Sequence, residues 1–167
     1  LHAHGEVAVD KAQRSLDPLD IPFLAEERAP GYLIAADGVD LEIGAVSMGN
    51  PHAVLRVDDV DQAPVEHLGP LLERHGRFPQ RTNVGFMQIV APNHIRLRVF
   101  ERGAGETLAC GSGACAAVVA GRLWGRLGPT VRVELPGGAL TIEWAGEGQA
   151  VRMTGPATTV FDGWIAW

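Results

Sequence analysis

The stretch Cys110-Gly111-Ser112-Gly113-Ala114-Cys115-Ala116-Ala117-Val118-Val119-Ala120-Gly121-Arg122-Leu123-Trp124 decides the fold. Its first three turns carry no charge on any face, and a helix that is apolar all round is a buried one. The pattern predicts a helix from about Cys110 to Trp124. Working outward, the chain reads mostly as strand. Candidate strands cover 6–9, 32–35 and 39–47, the latter two joined at Asp37-Gly38, a hairpin signal. Others cover 53–57, 84–90 and 93–101, with the turn Ala91-Pro92-Asn93 between the last two. Beyond the helix come 131–135, the turn Pro136-Gly137-Gly138, then 140–144, 151–154 and 159–165. A second helix is predicted after residue 61, with Asp61 as its cap and Pro64 in its first turn. Val65, Leu68, Leu71 and Leu72 lie along one face, and Pro70 should kink it. Many strands around one wholly apolar helix imply an α+β fold: a curved, mostly antiparallel sheet or barrel wrapped around that central helix.

Composition narrows the function classes. The chain has 167 residues, 46% hydrophobic and 20% charged, which suits one globular domain over 1–167 and excludes disorder. Lys and Arg number 14 against 20 Asp and Glu, a net charge of −6, so neither nucleic acid nor an anionic membrane is an expected partner. The longest purely apolar run, Ala114 to Ala120, is too short to span a bilayer. No signal peptide is legible at residues 1–6, and a cytoplasmic location is expected; the lack of an initiating Met suggests that Leu1 is not the natural start. The two cysteines, Cys110 and Cys115, match no common zinc spacing, and no metal is expected. On one helix they stand roughly 140° apart and cannot bridge.

Chemistry concentrates around Cys110. At a helix N-terminus a thiol is favoured as thiolate, and the free N–H groups of Gly111, Ser112 and Gly113 offer a cradle for a carboxylate or phosphate. The plainer alternative is a small buried hydrophobe followed by a glycine turn. Cys115, inside the apolar stretch, reads as core. In 95–101, Ile95, Leu97 and Val99 alternate with Arg96 and Arg98, so Glu101 continues the inward parity and must find a partner. Arg102, next in the loop leading to Cys110, is placed to clamp a carboxylate, or else to form a structural ion pair. Asn50 and His52, in Gly49-Asn50-Pro51-His52, can be presented from a turn, and His52 can tune a thiolate; Asn83 carries less by itself. His67 and His75 read as solvated. Gly111-x-Gly113-x-x-Ala116 with Glu134 further on also fits a dinucleotide fingerprint. That reading requires a nearly all-apolar strand running straight into Gly111, whereas eight residues and an Arg-bearing strand precede it.

Several segments in order resemble the diaminopimelate epimerase family. They are Val46-Ser47-Met48-Gly49-Asn50-Pro51-His52, Asn83-Val84-Gly85-Phe86-Met87-Gln88, Arg98-Val99-Phe100-Glu101-Arg102-Gly103-Ala104-Gly105-Glu106-Thr107, Ala109-Cys110-Gly111-Ser112-Gly113-Ala114-Cys115-Ala116, Leu135-Pro136-Gly137-Gly138 and Met153-Thr154-Gly155-Pro156-Ala157. The resemblance implies a cofactor-independent epimerase that interconverts LL- and meso-diaminopimelate, on the route to lysine and peptidoglycan. In such enzymes two cysteines work on opposite faces of the substrate. Cys110 resembles the second of them. Asn50, Asn83, Glu101, Arg102, Gly111 and Ser112 match substrate-contacting positions, and His52 and Glu101 match positions that tune the cysteines.

The first cysteine's own motif is missing, and Lys11-Ala12 stand where the family has Met-Gly. The chain therefore resembles the C-terminal half alone, with an N-terminal half as expected partner and little or no activity by itself. Pairing of two copies about a pseudo-twofold axis is a further expectation, resting on the family's internal symmetry. The alternative from another class is a non-catalytic binding or assembly domain of the same fold.

Overall fold

The computed structural model describes residues 5–11, 15–158 and 162–165. Among them run β1 (Glu6–Lys11), β2 (Tyr32–Ala36), β3 (Val39–Ser47), β4 (Pro51–Arg56), α1 (Val65–Glu73), β5 (Asn83–Ala91), β6 (His94–Glu101), β7 (Gly105–Thr107), α2 (Gly111–Leu123), β8 (Thr130–Leu135), β9 (Gly138–Trp144) and β10 (Val151–Pro156). The strands form one mixed sheet in the order β1-β10-β9-β8-β6-β5-β4-β3-β2, with β7 added on β6. No helix among the described residues is long and apolar enough to cross a membrane.

Turn chemistry placed the hairpins well. Asp37 and Gly38 both have positive φ (53° and 76°), the backbone of a type I′ turn, and β2 and β3 pair across them with Ala36 opposite Val39. Pro92-Asn93 joins β5 to β6, and Pro136-Gly137 joins β8 to β9. What hairpin signals cannot reveal are the two parallel pairings, β4 with β5 and β6 with β8. Parallel neighbours need a long crossover, and each helix supplies one: α1 between β4 and β5, α2 between β6 and β8.

Four expectations need correction. Asp61 does not cap α1, which starts at Val65 after Pro64; the Asp61 carboxylate instead takes a bidentate pair of hydrogen bonds from Arg96, at 2.9 and 2.8 Å. Leu71 is exposed, because the buried side of α1 follows the spacing Val65, Gly69, Glu73, with Leu72 beside it. A three-residue strand, β7, lies in what reads as loop. Residues 162–165 carry no strand, and 159–161 fall outside the described residues.

The sheet is buried on both faces at its centre, which explains the unbroken buried runs in β3, β4 and β5. One face meets α2: Val46, Val54, Met87, Leu97, Val99, Val133 and Ile142 pack with Ala114 to Ala120. The other meets α1 and the segment around Phe23: Ile43, Ala53, Leu55, Val84 and Phe86 pack with Val65, Leu72 and Phe78. Helix α2 touches β3, β4, β5, β6, β9 and β10, and Gly113 to Gly121 are all buried. It is fixed by burial, so the point where it begins is fixed too.

Candidate active site

Cys110 is the N-cap of α2, in extended backbone, and only 5% exposed. Its Sγ donates to Glu101 Oε2 at 3.1 Å and lies 3.6 Å from Ser112 Oγ. The Glu101 carboxylate therefore finds its partner in the thiol. The thiolate expectation for the resting chain is corrected. Burial pushes the Cys110 thiol up from its ordinary value, and the Glu101 charge adds to this, outweighing the Ser112 hydroxyl and the Gly113 amide, which favour thiolate. The helix terminus is present, but the carboxylate and the desolvation win. Cys115 is fully buried one turn on and pushed up to about 12 by burial, as a core thiol should be. Both cysteines are free.

Hydrogen bonds and adjacent backbone together tie the other candidates to this pair. His52 is 1% exposed, and its Nε2 lies 3.0 Å from Asn50 Oδ1. Burial, and then the Arg102 charge, push its pKa down to about 3, so it is a neutral imidazole. His52 on β4 stands opposite Asn83 on the parallel β5. Asn83 Nδ2 donates to the Pro51 carbonyl, and its Oδ1 accepts from the Arg102 backbone N–H, both at 3.0 Å. Arg102 is exposed, and its Nη1 donates to the Gln80 carbonyl at 3.0 Å. Asn50, His52, Asn83, Arg102, Glu101 and Cys110 thus form one linked array. Gly111 and Ser112 open the helix beside it, with first-turn N–H groups that have no partner within a helix. Glycine at 111 already has a packing reason: a Cβ there would lie 2.9 Å from Met153 Sδ.

His67 and His75 stand apart from the array. His67 pairs with Asp37 at 2.9 Å; His75 Nε2 lies 3.0 Å from the Ala35 carbonyl, and its Nδ1 accepts from the Arg77 backbone.

Two supporting residues are not legible as such in the sequence. Glu73 is only 2% exposed; its Oε1 accepts from the Gly103 N–H at 2.8 Å, and its Oε2 lies 3.3 Å from Arg74 Nε. It holds the turn just after Arg102. The signal was there, since 65, 69 and 73 share one helix face. Thr107 donates its hydroxyl to Glu101 Oε1 at 2.6 Å. Nothing in the periodicity marks it, because β7 is too short to alternate.

Solved structures share the architecture. A hydroxyproline epimerase from Agrobacterium vitis with bound trans-4-hydroxy-L-proline matches 75% of this chain and 46% of its own, with a TM-score of 0.58 at 16% identity. A probable proline racemase from Agrobacterium radiobacter K84 matches 97% of this chain and 63% of its own, with a TM-score of 0.56 at 15% identity. At that identity they speak for the fold alone. In sequence, the chain is 65% identical over 161 residues to the diaminopimelate epimerase of Alkalilimnicola ehrlichii, covering 96% of this chain and 58% of that protein. It therefore spans less than two thirds of the length of that relative. The family model for diaminopimelate epimerase matches residues 44–160, well over half of the chain, and the chain belongs to that family.

Proposed function

We propose that this chain is the C-terminal half of a cofactor-independent epimerase that interconverts LL- and meso-diaminopimelate, with Cys110 as one of two acid–base groups. The observation that carries this reading is the Cys110 thiol donating to Glu101 at the start of a buried helix, in a chain of this family. The sheet curling round α2 is part of the same reading, since it fixes where that helix starts.

The resting thiol is the form that gives a proton. A base on the far face of the substrate, supplied from outside this chain, takes the α-proton. Cys110 then donates its proton to the α-carbon from the near face and is left as thiolate. In the reverse direction Cys110, as thiolate, takes the proton. The substrate α-carboxylate docks on the N–H groups of Gly111 and Ser112, where a helix terminus also stabilises the negative charge building at the α-carbon. Arg102 and Asn50 bind the distal polar end. Asn83 has committed its Oδ1 and one N–H to the protein and contributes its remaining N–H. His52 acts as a tuning group for the acid–base pair. Two buried thiols held free suit a reducing compartment, and we place the chain in the cytoplasm.

Incubation of the chain with LL- and, separately, meso-diaminopimelate in deuterated water tests this. The expected result is slow α-deuterium incorporation into the epimer whose α-proton faces Cys110, lost in Cys110→Ala, with no conversion to the other epimer at rates typical of two-domain relatives. Efficient meso formation by this chain alone, or exchange that survives Cys110→Ala, overturns the proposal.

A further inference from the structure

We infer that Thr107 is a positioning residue for the acid–base pair: its hydroxyl holds one oxygen of Glu101 so that the other is aimed at the Cys110 sulfur. The inference rests on the role proposed for Cys110, and it adds a residue that the candidate set did not include.

The geometry is specific. Glu101 Oε1 accepts from Thr107 at 2.6 Å, while Oε2 accepts from Cys110 at 3.1 Å. The two oxygens have separate partners, so the carboxylate has one rotation that satisfies both. The backbone enforces this. On β7, Gly105 stands opposite Glu101 and Thr107 opposite Val99, which puts Thr107 diagonally across from Glu101 on the same face. Gly105 has no side chain, so the Glu101 chain can lean over it toward Thr107. β7 is itself anchored from its other side, where Glu106 takes paired hydrogen bonds from Arg98 at 2.6 and 2.8 Å. Arg98 also donates to the carbonyls of Val60 and Ala63 ahead of α1. A three-residue strand is thus held rigidly enough to orient a carboxylate.

Without the hydroxyl, the half-buried carboxylate is free to turn toward water. The thiol then loses the acceptor that favours its neutral form and ionises more readily. Among the described residues, the titratable groups facing Cys110 are Glu101 on β6 and Cys115 one turn along α2; Ser112 and the Gly113 amide contribute only neutral dipoles. Glu101 is therefore the one charge through which Thr107 can act.

The test is iodoacetamide alkylation of Cys110 in the 167-residue chain across pH, with labelling mapped by mass spectrometry. Thr107→Val is expected to move the Cys110 profile to lower pH and to speed labelling at pH 7.5 by roughly tenfold, the scale of one hydrogen bond to a charged group. Thr107→Ser keeps the wild-type profile. In a Glu101→Gln background, Thr107→Val changes nothing further, because the group it acts through is gone. If Val shifts the profile equally in both backgrounds, or if Ser fails as Val does, Thr107 is merely structural and the inference falls. Urea midpoints show whether each variant is folded, and Thr107→Ala replaces Val if Val is not. The deuterium exchange experiment separates the two proposals: absent exchange in wild type removes the catalytic role of Cys110, while a flat Thr107 cycle with intact exchange removes only the role of Thr107.

Discussion

Lowering the pH from 7.5 to 5 is expected to cost the folded chain about 2 kcal/mol through His52 alone. The folded imidazole has its pKa pushed down to about 3, against an ordinary value of 6.5 in the unfolded chain. Between those values the unfolded state binds a proton that the folded state refuses. Stability therefore rises with pH through this window and is lost as pH falls below 6.5, at up to about 1.4 kcal/mol per unit. The cause is structural. His52 is buried on β4 beside the Arg102 charge, and its hydrogen-bond partner, Asn50, is neutral, so nothing compensates an imidazolium. The upper part of the window, pH 5 to 6.5, lies above the ordinary range of carboxylates, so the slope there belongs to the six histidines, and a His52 variant separates His52 from the other five. Urea unfolding at pH 7.5, 6.5, 5.75 and 5 measures it. His52→Gln is expected to be less stable than wild type at pH 7.5 but to lose about 2 kcal/mol less on going to pH 5. A slope that survives in His52→Gln assigns the acid sensitivity elsewhere and sinks the prediction.

That burial also shows where sequence reading succeeds and where it stops. The helix within 110–124 was legible because its first three turns carry no charge and are too short to span a bilayer, which leaves the protein core. The hairpin at Asp37-Gly38 was legible because few residues adopt positive φ in succession. Inward parity placed Glu101 on the buried side of β6, and counting by twos required nothing more. Its partner was another matter. The Cys110–Glu101 bond joins the end of a strand to the start of a helix nine residues later, and no spacing rule gives that distance. The thiolate expectation went astray for a related reason: it weighed the helix terminus, a local feature, against nothing, while desolvation and the Glu101 charge are set by the fold around it. The parallel pairings and the short strand carrying Thr107 belong to the same class. Each depends on which segments meet after the crossovers close.

The second large effect tests the link between the packing of α2 and the site at its N-terminus. Gly44→Ala on β3 is expected to destabilise the chain by about 1–3 kcal/mol. A Cβ at 44 would stand 2.8 Å from the Cβ of Ala120 and 3.1 Å from Trp124 Cζ2. Ala120 is fully buried on α2, and two Cβ atoms have no rotamer by which to avoid each other, so strand or helix must move. Trp124 cannot easily yield either, since its Nε1 donates to the Pro30 carbonyl at 2.9 Å. Ala120→Gly alone should cost about 1 kcal/mol in helix propensity, yet in combination with Gly44→Ala it removes the shorter of the two close contacts and leaves only that to Trp124. The double variant is therefore expected to lose less stability than the two single losses added together. Strict additivity in urea midpoints would mean that the close approach of β3 and α2 is not what demands glycine. Because α2 is packed as one rigid piece, the displacement in Gly44→Ala should reach its other end, three turns away. There it alters the Cys110–Glu101 hydrogen bond and hence the pH profile of Cys110 alkylation. The double variant should bring that profile back toward wild type along with the stability. Recovery of both together ties the reactivity of the thiol to the seat of the helix, whereas recovery of stability alone confines the effect of Gly44 to the core.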